Sequence, residues 1–180
     1  MKFPYGISDF NKIIREDYFY CDRTDRIHTL ESAGNSLLFL RPRRFGKSLL
    51  LSMLANYYDV AKADSFEKIF GNLLIGKNPT DLHNKYFILE WDFSCVKASG
   101  TAHDIEKSLY DHINDCIIDF TVYYEDYLKR EVKINPDNAL SSIKSLITSI
   151  SKADYPIYLL VDEYDNFANE VMMSTRENKE

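Results

Sequence analysis

The sequence predicts an α/β fold of three layers, with helices on both faces of a mostly parallel sheet. Three short apolar runs carry that expectation: residues 36–40 (SLLFL), 86–93 (YFILEWDF) and 157–161 (IYLLV). Each has the length of a strand and little polar alternation, which marks a strand covered on both faces. Helical periodicity fills the intervals, and strands alternating with helices imply parallel crossovers.

The elements follow in order. Ser8 can cap a turn carrying Phe10, Ile13 and Ile14. Thr24 can cap a helix with Ile27 and Leu30 that stops at Gly34. The first strand, 36–40, lies between Gly34-Asn35 and Arg41-Pro42. After Gly46-Lys47-Ser48 comes LLLSMLANYY, apolar on nearly every side, as expected of a helix between a sheet and another layer. Asp64 and Glu67 form a capping-box pattern beside Phe66, Ile69 and Phe70. The second strand is rich in aromatic and β-branched residues. A stripe from Ile105 through Ile113, Ile117 and Phe120 to Leu128 predicts a helix of about six turns. Asn135-Pro136 signals the start of another, with Leu140, Ile143, Leu146, Ile147 and Ile150 on one face. The third strand ends in Asp162-Glu163. The expected organisation is an N-terminal helical segment over 1–35, packed on a core domain over 36–173, and a polar tail over 174–180.

Composition narrows the function classes. The chain has 180 residues, 22 Lys+Arg and 28 Asp+Glu, for a net charge of −6, and 45% hydrophobic residues. That is globular composition, and its acidic balance gives no support to direct nucleic-acid binding. No apolar run approaches the ~20 residues of a membrane span, and residues 1–10 carry no secretory signal. Cys21, Cys95 and Cys116 form no CxxC pair, which fits a reducing, cytoplasmic setting with the thiols as small apolar fillers. The four histidines show no metal-ligand spacing.

The sharpest motif is strand, short loop, Gly46-Lys47-Ser48, helix. Phosphates need converging backbone N–H donors, a glycine that permits close approach, and a cation. Gly46 suits the close approach, Lys47 the β- and γ-phosphates, and the Ser48 hydroxyl a Mg²⁺ ion, with the helix N-terminus adding its positive end. Arg43, Arg44, Phe45 and Leu49 complete the expected nucleotide-binding set, Phe45 as a packing anchor. The loop departs from GxxxxGK[ST], because Arg41 stands where the first glycine would be and Pro42 lacks an N–H. A basic, solvated turn is the bland alternative.

The second motif is the strand ending in Asp162-Glu163. In open α/β sheets the carboxyl ends of the strands form the ligand edge. Asp162 can hold Mg²⁺, and Glu163 can polarise an attacking water. Glu90, Asp92 and Ser94 could face the same edge, Asp92 being the best additional candidate. Tyr164 and Phe167 read as packing residues.

These residues resemble the AAA-ATPase-like family of P-loop proteins. The stretches are Pro4-Tyr5-Gly6-Ile7-Ser8-Asp9-Phe10, Asp22-Arg23-Thr24, the loop 41–50 (RPRRFGKSLL), Trp91-Asp92-Phe93-Ser94 and Leu160-Val161-Asp162-Glu163-Tyr164-Asp165. The family usually has Lys where Arg23 stands. The resemblance implies a P-loop NTPase-like domain that binds ATP and Mg²⁺. Lys47 and Ser48 map onto the phosphate and metal positions, and Asp162 and Glu163 onto the metal and water positions. It makes Glu163 and Lys47 the expected catalytic residues. Related proteins often carry a PD-(D/E)xK nuclease-like domain after the ATPase, and a homo-oligomer is a further expectation. Neither Glu131-Val132-Lys133 nor Glu177-Asn178-Lys179 fits a nuclease signature.

In such ATPases a sensor strand inserts between the two motif strands, and it lies downstream of the Asp-Glu strand. Here 17 residues follow Glu163. The expectation is therefore a sheet lacking its last strands, marginal stability, and poor turnover in this chain. The competing readings are a catalytically silent anion-binding or protein-interaction domain with an arginine-rich loop, and a kinase. The ATPase reading requires Lys47 and Asp162 to converge on one magnesium–nucleotide.

Overall fold

The computed structural model describes all residues except Arg41, Arg43 and 178–180. The chain divides into two units, Met1–Tyr86 and Phe87–Glu180. Both the phosphate-loop motif and the Asp-Glu motif are covered, one in each unit.

The first unit is helical. Helix α1 (Phe10–Arg15) is capped by Asp9, whose carboxylate accepts from the Lys12 N–H at 3.1 Å, rather than by Ser8. Helix α2 (Ile27–Ala33) follows a 3-10 turn over Thr24–Arg26 and stops at Gly34, whose φ of 122° suits glycine. Helix α3 (Lys47–Tyr58) leads into a 3-10 turn over Val60–Ser65, then α4 (Phe66–Phe70) and α5 (Leu74–Lys77). The Asp64–Glu67 capping box does not form: Ser65 precedes α4 and makes no side-chain cap bond.

Thr24 does different work from a cap on its own helix. It is fully buried, its hydroxyl donates to Asp22 Oδ1 at 2.7 Å, and it accepts from the Ile75 N–H at 3.1 Å. Asp22 Oδ2 accepts from the Leu74 N–H at 2.7 Å. Asp22 and Thr24 thus satisfy the orphan donors at the start of α5, a short helix that lacks a cap of its own. Around them lies an aromatic core in which Phe10 stacks on Phe70 at 5.4 Å and Tyr57 meets Phe70 edge-on at 5.3 Å.

The expected first strand is absent. Residues 36–40 have no strand assignment, and Leu38 and Leu40 are 65% and 74% exposed. An apolar run becomes a strand only where a ladder partner takes its backbone groups. Among the described residues no strand pairs with it. Helix α3 buries only its later turns, residues 53–58, and is tied to α1.

The second unit contains the sheet. Strand β1 (Phe87–Asp92) pairs in parallel with β2 (Ile157–Asp162), in register from Phe87↔Ile157 to Asp92↔Asp162. The fold class is α/β, with this small parallel sheet and many helices among the described residues. Helix α6 (Ala102–Tyr123) spans the stripe seen in the sequence. Its capping box is Thr101 with Asp104. Phe87 is fully buried against Phe120 and Tyr124, and the Tyr124 hydroxyl accepts from the Ile88 N–H at 2.9 Å. An aromatic hydroxyl therefore takes up a donor of β1 that the ladder leaves over.

Helix α7 (Ala139–Ile150) is capped by Asn138 rather than by Asn135-Pro136. Its serines pin the preceding loop: Ser145 and Ser142 accept from the N–H groups of Lys133 and Asn135, and Ser149 donates to the Arg130 carbonyl. Helix α8 (Tyr164–Glu177) completes the unit. The burial expected of β2 is only partly found. Leu160 is buried, whereas Leu159, which projects to the opposite face of the sheet, is 43% exposed. Among the described residues no helix is long and apolar enough to cross a membrane.

Replacing Thr24 by Val keeps the shape but strips the buried Ile75 N–H of its acceptor. Thr24→Val is expected to cost about 1–3 kcal/mol, read as a lower urea midpoint. An unchanged midpoint contradicts the capping role.

Candidate functional site

The phosphate-loop locus is built by the entry into α3. Of the expected nucleotide-binding residues, Arg44, Phe45, Gly46, Lys47, Ser48 and Leu49 are described; Arg41 and Arg43 lie outside the described residues. Gly46 holds φ 78° and ψ 24° and forms the N-cap of α3. A Cβ there would meet nothing within 4 Å, so the glycine answers a conformational demand rather than a spatial one. Arg44, two residues earlier, also has positive φ, at 66°. Left-handed residues interleaved with ordinary ones turn successive N–H groups to one side, the arrangement that makes a nest for anions.

Electrostatics point the same way. The N-terminal turn of a helix carries orphan N–H donors and the positive end of the dipole, so carboxylates normally gather there. Helix α3 has no acid in its first turn and opens instead on Lys47, with Arg44 just before it. Gly46 offers no side chain to cap those donors. Lys47 and Leu49 are half-buried and Ser48 is exposed. Phe45 is 63% exposed and does not anchor the loop by packing, contrary to the expectation from sequence.

The helix behind the loop is held firmly. The Phe10 N–H donates to Ser52 Oγ at 2.9 Å, which ties α1 to α3 one turn beyond Ser48. Met53–Tyr58 then run through the core, with Tyr57 fully buried and its hydroxyl pKa raised by burial.

The carboxylate locus lies at the carboxyl end of the sheet. The register places Asp92 and Asp162 opposite each other on adjacent parallel strands, and partners in such a ladder project to the same face. Asp92 was legible from sequence only as a companion candidate; the register makes it Asp162's neighbour. Glu90 projects to that face too, one step back along β1. Asp92 Oδ1 accepts from the Ser94 N–H at 2.9 Å, which caps the 3-10 turn over Phe93–Cys95.

Glu163 occupies the turn from β2 into α8 with φ 56°. Its N–H donates to Asp162 Oδ1 at 3.0 Å, and its carbonyl accepts from the Phe167 N–H at 3.2 Å. A glutamate in the left-handed region costs about 1–2 kcal/mol relative to ordinary backbone. Such strain is concentrated at functional turns. Nothing in the residue order signals this conformation. Tyr164 is 40% exposed, whereas Phe167 packs on Phe93 with ring centroids 5.5 Å apart, so of the two only Phe167 is a packing residue.

Among the described residues no group of three or more His, Cys, Asp or Glu side chains is placed to hold a metal ion. Two aspartates side by side still suit Mg²⁺, which is commonly held by one or two carboxylates together with water and substrate phosphates. Their hard oxygen donors fit that ion and not a soft one.

A stretch of 58 residues, 32% of the chain, is 45% identical to an uncharacterized protein in the vnfD 5′ region of Azotobacter chroococcum mcd 1, and it spans 11% of that protein's length. No solved structure matches. Residues 4–180 match the family described as "Predicted AAA-ATPase". The chain therefore belongs to the AAA-ATPase-like family.

Proposed function

We propose that this chain is the nucleotide-binding part of a Mg²⁺-dependent ATPase with a P-loop NTPase-like fold. The observation that carries the reading is the entry into α3. A left-handed glycine leads into an acid-free first turn bearing Lys47 and Ser48. The family match supports the same class of ligand.

In this reading the N–H groups following Gly46 and the Lys47 ammonium bind the β- and γ-phosphates, and Arg44 adds charge at the mouth of the loop. Ser48 and Asp162 would hold the Mg²⁺ ion. When bound, the ion would supply positive charge against the charge that develops on the phosphates. Glu163 would accept the proton of the attacking water. A cytoplasmic setting suits an ATP-dependent enzyme.

The alternative is a silent anion-binding module. It is favoured by Pro42, which removes an N–H from the loop. Titration calorimetry with Mg-ATP separates the two. Lys47→Ala is expected to weaken binding roughly 10- to 100-fold, the worth of a charge-assisted contact. Equal affinity of the two proteins removes the ATPase reading.

Glu163→Gln keeps the shape and removes the base. It is expected to bind Mg-ATP as the parent does, while any phosphate release falls about 100- to 10,000-fold. A variant that hydrolyses at the parental rate takes Glu163 out of the chemistry.

A further inference from the structure

The net charge of the chain is concentrated in one place. Helix α6 and the turn after it, residues 102–126, contain seven acidic residues and a single lysine. Their net charge of −6 equals that of the whole chain, so the remainder is neutral. All seven acids are exposed. Asp111, Asp115 and Asp119 follow at four-residue steps with no lysine or arginine in the interval, and none of the three forms an ion pair. Like charges at that spacing destabilise a helix. A mixed surface would serve solubility without that cost, and local costs gather where a further requirement acts. Among the described residues no group of three such side chains is placed to hold a metal ion, so a metal does not answer this column.

Asp111, Asp115, Ile118 and Val122 step by four, three and four residues, the spacing of a coiled-coil seam. The buried residues Ile113, Ile117 and Phe120 lie on the other side of the helix, where Phe120 meets Phe87 in the core. Ile118 and Val122 are 42% and 66% exposed. Helix α6 thus carries a second seam that faces outward, acidic in its first half and apolar in its second. Beside the acidic half is an open cavity of about 380 Å³, lined by Asp104, Asp111 and Asp115 together with Lys97, Lys107 and His112. Cys95 reaches the same cavity and is exposed, contrary to the filler role expected from sequence.

We propose that this outward seam of α6 docks a basic amphipathic helix of a partner protein. Complementarity identifies the occupant. Carboxylates recurring once per turn, about 5.4 Å apart along the axis, match lysine or arginine side chains at the same intervals on a facing helix. Ile118 and Val122, one turn apart, receive apolar side chains of that helix. A basic side chain at the acidic end of the seam extends into the cavity toward Asp104 and Asp111. The same carboxylates repel nucleic acid and anionic lipid surfaces. The inference goes beyond the nucleotide reading and does not rest on it, since α6 carries none of the residues assigned to that site.

The test uses the whole chain and a synthetic helical peptide about three heptads long, with leucines at two adjacent seam positions and lysines at the others. A second peptide has the same composition with its leucines moved off the seam. Affinities are read by fluorescence anisotropy at about 0.15 M salt. The seam peptide is expected to bind at least about tenfold more tightly than the second. Asp111→Asn with Asp115→Asn, and Ile118→Gln with Val122→Gln, are each expected to weaken it by about tenfold or more. These four positions lack fixed partners in the core, and an unchanged melting midpoint confirms that the fold is kept. A charge-matched pair elsewhere on the surface, Glu16→Gln with Asp64→Asn, is expected to bind as the parent does. Equal affinity for the two peptides, or an equal loss in that control pair, shows general attraction to an acidic protein and overturns the proposal. So does a seam peptide that does not bind. Sedimentation that finds self-association of the chain, lost in Ile118→Gln with Val122→Gln, gives the face to a second copy and also overturns it.

Discussion

Six consecutive positions of β1 pair in parallel with six of β2, and the chemistry available in the second unit depends on that register. Side chains alternate along a strand, so a slip of one residue would turn Asp162 to the opposite face from Asp92. The register is held from both sides. Phe87 is locked in an aromatic cluster, and the Ile88 N–H is held by the Tyr124 hydroxyl. The strand ladder and this clamp together deliver two carboxylates to one edge, where an adjoining strained turn presents a third.

The first unit reaches a comparable result by the opposite means. Its candidate site arises from local conflict rather than from pairing. Two cations sit where a helix dipole disfavours them, and glycine stands where a capping side chain would stabilise the helix. Sequences usually agree with their structure at every level, and the exceptions gather where function demands them. The remainder of the unit obeys the rules: Asp22 and Thr24 satisfy the start of α5, and Ser52 fastens α1.

Much of this was legible in the residues. The strands ending at Asp92 and Asp162, the long helix now seen as α6, and the helix after Gly46-Lys47-Ser48 all follow from run length and periodicity. Caps were less legible, because Ser8 and Asp9, or Asn135 and Asn138, offer the same chemistry within a few positions. The strand at 36–40 misled for a different reason. Its composition is that of a buried strand, but pairing is a property of neighbours, and composition does not supply one. The positive φ of Arg44 and Glu163, and the pairing of Asp92 with Asp162, belong to tertiary structure and leave no local trace in the order of residues.

The proposal on which the functional reading rests is that Lys47 and Asp162 act on one bound magnesium–nucleotide. A double-mutant cycle tests it directly, with Mg-ATP affinity measured for the parent, Lys47→Ala, Asp162→Asn and the combined variant. Residues sharing a ligand couple by more than about 0.5 kcal/mol, whereas independent sites add. The account predicts clear non-additivity, the second substitution costing little once the first is made. Losses that simply sum would contradict it.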